Sequence, residues 1–121
     1  MVSDKVELCR CARNTGKLMN DISNLRLEVD SMKFGRLNNI QISNLKIDIS
    51  LMNKEIQSLR HTCDLDTTHQ EDTLDNISRQ TSFITKMTNQ YEFDVEKTMM
   101  LHNLGTIRDQ IMKKLNDCSI E

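Results

Sequence analysis

Proline and tryptophan are missing from this chain of 121 residues, glycine occurs three times, and the aromatic side chains amount to three phenylalanines and one tyrosine. Each shortage excludes something. A strand-rich fold needs turn residues at short intervals, and these are lacking. An ordinary globular core draws much of its buried area from aromatic rings, so a core here is expected from leucine, isoleucine and methionine. Charge of one sign is not in surplus either, with 16 Lys and Arg against 18 Asp and Glu, for a net charge of −2. A dedicated nucleic-acid binder shows a basic face, so no nucleic-acid partner is expected. No apolar run reaches membrane-spanning length, and charges stand near the start of the chain where a secretory leader is apolar. The expectation is a cytoplasmic chain without a membrane span, in which Cys9, Cys11, Cys63 and Cys118 are thiols. There is no glycine-rich phosphate loop, and His61, His69 and His102 have no nucleophile or acid at triad spacing. No enzyme activity, cofactor or small-molecule substrate is therefore expected.

What is present is helical text. At 37% hydrophobic and 28% charged, the profile suits long amphipathic helices and an all-α fold. The seam is clearest in residues 42–59, where Ile42, Leu45, Ile49, Met52, Ile56 and Leu59 fall on alternating three- and four-residue steps. Such a pattern asks for a partner helix, most simply in a parallel two-stranded coiled coil. Leu45, Ile47, Ile49 and Leu51 also alternate with polar residues in the manner of a half-buried strand. The heptad outruns that alternation and no turn signal flanks it, which favours helix.

Upstream, Ser3 followed by Asp4 and Glu7 reads as a helix start. Leu8, Cys11, Thr15, Leu18, Ile22, Leu25, Val29 and Met32 then form a second seam, weakened at Thr15 and Gly16, so residues 1–16 are expected to fray. The phrase ISNLRLEV at residue 22 returns as ISNLKIDI at residue 42. The offset of 20 residues is one short of three heptads. A missing residue must be absorbed by overwinding or by a break, and Gly35 is where breaking costs least. The heptad helix over residues 17–61 is thus expected to be discontinuous at 33–36.

Flanking charges bear on how such helices pair. In a parallel dimer, Asp21 would face Arg26, Glu28 would face Lys33, and Glu55 would face Arg60, always acid to base. Antiparallel pairing of the same segment would set acid against acid. The charges favour a parallel homodimer, although each exposed pair contributes only ~0.5 kcal/mol.

Carrying the register onward places Ile77, Ile84, Met87, Tyr91, Leu101, Met112 and Leu115 on the seam, after a polar stretch at 62–72. Two outcomes satisfy that stretch. Either the helix continues as a rod on the order of 150 Å long with a wet core, or the chain turns back there as a helical hairpin that assembles into a bundle. The second amphipathic helix, 73–104, carries apolar residues outside the seam, including Leu74, Phe83, Val95 and Leu104. A stripe that wide suits a three- or four-helix bundle. Gly105 is expected to interrupt it, leaving 105–121 as a short last helix and tail.

The three thiols and one imidazole of Cys9-x-Cys11 and His61-x-Cys63 could form a zinc ligand set, but residues two apart on a helix project to nearly opposite sides. No metal is expected, and Cys11 and Cys63 read as small apolar fillers. The run VELC at residues 6–9 resembles part of the tektin signature, without the Arg-Pro-Asn that introduces it, and implies a filament protein of microtubules. The heptads at 73–101 look like a SNARE motif, although Gln70 and Gln80 stand among other polar residues where one glutamine layer is usual; this implies a membrane-fusion or tethering helix. Repeated ISNL phrases also suit the fibre stalk of a virus or phage. The leading expectation is a non-enzymatic coiled-coil scaffold or adaptor, perceived through its long seam, that pairs with itself or with other helical proteins in a cytoskeletal or trafficking setting.

Overall fold

The computed structural model describes the backbone of residues 16–63 and 68–119, and the side chains of 16–59 and 69–113. Four α-helices make up the described residues: α1, Gly16–Asp30; α2, Asn39–Cys63; α3, Thr68–Ile84; and α4, Gln90–Ser119. No strand occurs among them, and no described helix is long and apolar enough to cross a membrane.

Each helix packs closely against the next in the chain, and α4 closes the ring against α1, while among the described residues the backbones of the diagonal pairs, α1 with α3 and α2 with α4, stay apart across the core. Cross-helix contacts give the directions. Lys17 pairs with Glu55 near one end of α1 and α2, and Glu28 meets Asp48 near the other, so these two helices are antiparallel. Lys97 reaches the end of α1 while Gly105 lies beside Arg26, so α1 and α4 are antiparallel too. Gln70 with Gln110 and Gln80 with Asn103 show the same for α3 and α4. The result is an up-down-up-down, bundle-like packing, the arrangement short connections between amphipathic helices favour.

The three-four spacing explains which side of each helix turns inward. Leu18, Ile22, Leu25 and Val29 of α1, with Met32 just beyond, meet Leu45, Ile49, Met52, Ile56 and Leu59 of α2. Leu74, Ile77 and Ile84 of α3 and Phe93, Met100, Leu104, Ile107 and Ile111 of α4 complete one continuous core. Phe93 is the single buried ring, 2% exposed, and Phe34 leans on it at a centroid distance of 5.9 Å. Buried polar groups of α3 find partners within the bundle: Thr81 Oγ1 donates to the Ile77 carbonyl one turn back at 2.8 Å, and Gln80 accepts from Asn103 Nδ2 of α4 at 3.2 Å.

Two asparagines start helices. Asn38 Oδ1 accepts from the Gln41 amide at 2.8 Å while Gln41 Oε1 accepts from the Asn38 amide at 3.2 Å, a reciprocal capping box for α2. Asn89 Oδ1 likewise accepts from the Glu92 amide at 2.8 Å, capping α4. Between α1 and α2 the chain turns through Gly35, whose φ of 79° is that of the third residue of a type II turn, closed by the Arg36 amide on the Lys33 carbonyl at 3.1 Å. Lys97 ties this corner down. Its Nζ donates to the carbonyls of Asp30 at 2.8 Å and Met32 at 2.9 Å, putting a cation on acceptors that the end of α1 leaves open.

The single helix expected over 73–104 is instead two, α3 ending at Ile84 and α4 starting at Gln90, and two further readings differ from what is seen. The last helix runs unbroken through Gly105 rather than stopping there. Its inward face is set by Phe93, Met100, Leu104, Ile107 and Ile111, not by the register carried over from α2. The physical reason is the same in both cases: α4 starts afresh at the Asn89 cap, and its phase follows its own largest apolar residues, with Gly105 sheltered beneath a side chain of α1.

Candidate functional site

The residues assigned to helix contacts distribute unevenly. Leu18, Ile22, Leu25, Val29, Met32, Leu45, Ile49, Met52, Ile56, Leu59, Ile77 and Ile84 are buried together inside one chain. Met87 and Leu101 are half-buried against that core, and Ile42 is half-buried in the first turn of α2. Tyr91 and Met112 face outward. The side chain of Leu115 lies outside the described residues, as do those of Arg60, His61, Cys63 and Cys118, and all of Cys9 and Cys11, so the zinc reading and the filler reading of Cys11 and Cys63 fall there.

Charges on the α1–α2 flank meet as acids. Because the two helices run antiparallel within one chain, Glu28 faces Asp48 and Asp21 faces Glu55. Burial first, then the side-chain hydrogen bond with Asp48 and its charge, holds the Glu28 carboxyl above the usual glutamate range. Burial and Asp21 raise Glu55 in the same way, and Lys17, 3.3 Å away, partly offsets the rise. Between the two acid pairs lies a groove of about 200 Å³ lined by Asp21, Asn24, Asp48, Leu51 and Met52. Among the described residues no group of three or more His, Cys, Asp or Glu could hold a metal ion. Arg26 and Lys33 are elsewhere: the first lies across α4, and the second is exposed in the α1–α2 connection.

The α1–α4 flank is different in character. A groove of about 450 Å³ is lined by Ser23, Arg26, Leu27 and Asp30 of α1 and by Leu101 and Arg108 of α4. Gly105 lies beside the Arg26 side chain, since a methyl group added there would sit 3.8 Å from Arg26 Cζ. The Nε atoms of Arg26 and Arg108 are buried without a hydrogen-bond partner. The heptad register sets Arg26 in an interchain pair and assigns Arg108 no role. The two come together only because α4 closes the ring, and no local spacing signals that.

Two apolar stripes complete the surface. On α2, Ile40, Ile47 and Leu51 are exposed at seven- and four-residue spacing, Ile40 by 71%. On α4, Tyr91, Val95 and Met99 are exposed at four-residue spacing, Tyr91 by 78%. These spacings put each set on one side of its helix. Comparison with protein-family models, curated proteins and solved structures finds no match to this chain.

Proposed function

We propose that this chain is a non-enzymatic, cytoplasmic scaffold or adaptor subunit: a helical bundle that associates with copies of itself and through them builds a larger helical complex. The observation that carries the reading is the pair of apolar stripes on α2 and α4. These helices are diagonal in the packing, with their backbones apart across the core, so the stripes belong to different sides and one chain can hold two neighbours. The heptad seam of α1 and α2 is already used within the chain, where Leu18, Ile22, Leu25, Leu45, Ile49 and Ile56 are buried. Coiled-coil-like pairing with another helix therefore falls to the stripes, where apolar area is still open to water.

Sedimentation velocity over a range of concentrations tests this. The wild-type chain is expected to form species beyond the monomer as concentration rises. Ile47→Asp with Leu51→Asp, and separately Val95→Asp with Met99→Asp, should each reduce the mass while leaving the helical circular dichroism unchanged. A monomer throughout, or association that neither double substitution weakens, refutes the proposal.

A further inference from the structure

We propose that the groove between α1 and α4 is a binding site for a small phosphate monoester whose organic part is apolar. The inference is independent of the stripes on α2 and α4. Buried hydrogen-bonding groups in folded proteins are almost always paired, and two exceptions in one groove require an explanation. Here the exceptions are the Nε–H groups of Arg26 and Arg108, and both belong to guanidinium forks. Among the described residues neither side chain takes part in an ion pair or hydrogen bond. A planar fork presents two parallel N–H groups to a tetrahedral oxyanion, which is why arginine recurs at phosphate sites.

The order of residues along the antiparallel helices gives the groove two ends. Arg26 lies across Gly105. Ser23, one turn back on α1, and Arg108, one turn on along α4, stand at the cationic end with a hydroxyl donor. Asp30 and Leu101, displaced the other way on each helix, stand at the opposite end. An anion is thus drawn to the Arg and Ser end and held away from the Asp30 carboxylate, which fixes its orientation. Lys97 adds positive potential near Asp30 but is itself engaged by two carbonyls. The volume of about 450 Å³ lies within the range of ligand pockets and leaves room beyond a phosphate. Leu27 and Leu101 supply apolar wall for that remainder.

The test is a titration of the full chain, followed through its backbone amide resonances, with phenyl phosphate, inorganic phosphate and phenol as probes. Phenyl phosphate is expected to bind at least tenfold more tightly than inorganic phosphate, with phenol alone not binding, and with shifts centred on Ser23, Arg26 and Gly105. Arg26→Gln and Arg108→Gln should each weaken phenyl phosphate by tenfold or more, whereas Lys86→Gln, an exposed charge in the α3–α4 connection, should leave it unchanged. If a glutamine variant fails to melt cooperatively, Arg26→Lys and Arg108→Lys take its place; they keep the charge and lose the fork, and a drop in affinity is again expected. Absence of binding, shifts away from the groove, or equal weakening by Lys86→Gln overturns the proposal.

Discussion

Replacing glycine by alanine at two positions should move stability in opposite directions. Gly105 lies inside α4, and the added methyl would meet only the Arg26 guanidinium, at 3.8 and 3.9 Å. That is ordinary van der Waals contact, so the substitution keeps its full gain in helix propensity, about 0.8–1.0 kcal/mol. For a domain of this size the melting temperature should rise by about 4 °C. Gly35 has nothing within 4 Å of the new methyl, but its φ is 79°. Alanine there takes on the left-handed penalty of about 1–2 kcal/mol with no contact to offset it, and the melting temperature should fall by at least as much as the other rises. Thermal and urea unfolding by circular dichroism at neutral pH read both changes. A stable Gly35→Ala variant would refute the turn geometry. A Gly105→Ala variant that gains nothing would mean that α4 is not helical through that position, and the groove built on it would go as well.

Lys97→Met removes two charge-assisted bonds to the end of α1; because the Asp30 carbonyl is exposed, the loss should be near the low end of such bonds, about 1.5 kcal/mol by urea unfolding. Phe93→Ala empties the one ring site in the core and should cost about 3–5 kcal/mol, visible as a collapse of the urea midpoint. The acid pairs make stability fall with rising pH. Glu28 and Glu55 are raised in the folded chain, so the native state holds their protons more tightly than the unfolded one; this contribution is full below the ordinary glutamate range and is lost as pH climbs through the raised values. Melting temperatures from pH 4 to 7 should show the decline, and Glu28→Gln should flatten it while raising stability at pH 7; a steeper decline in that variant would contradict the assignment.

How much of this was legible in the chain depends on the distance over which a signal acts. The inward faces of α1 and α2 follow from three-four spacing, and a residue deficit beside Gly35 marks the place where the chain turns between them. The caps at Asn38 and Asn89 have visible signatures, each followed three residues later by Gln41 or Glu92, but the hydrophobic register draws attention away from them. That register is a property of one helix and cannot be carried across a new cap, which is why Tyr91 faces water and Phe93 does not. Charges were harder still. Asp21, Glu28 and Glu55 look complementary to bases when each segment is set beside a parallel copy of itself, yet the partner of α1 is an antiparallel neighbour that presents Asp48 and Glu55. Arg26 and Arg108 belong to the first and last described helices, and nothing in either neighbourhood names the other.

The closing of α4 onto α1 also orders events during folding. The α1–α2, α2–α3 and α3–α4 contacts join elements adjacent in the chain, so each hairpin can form with little loop entropy to overcome. The fourth contact is of another kind, because it must bring together segments separated by the whole intervening chain. On a ribosome, α1 and α2 can pair while α4 has yet to be made, with the α4-facing side of α1 open to solvent. The Lys97 clamp and the arginine groove then appear together when α4 docks, so that any site in that groove reports a closed ring of four helices.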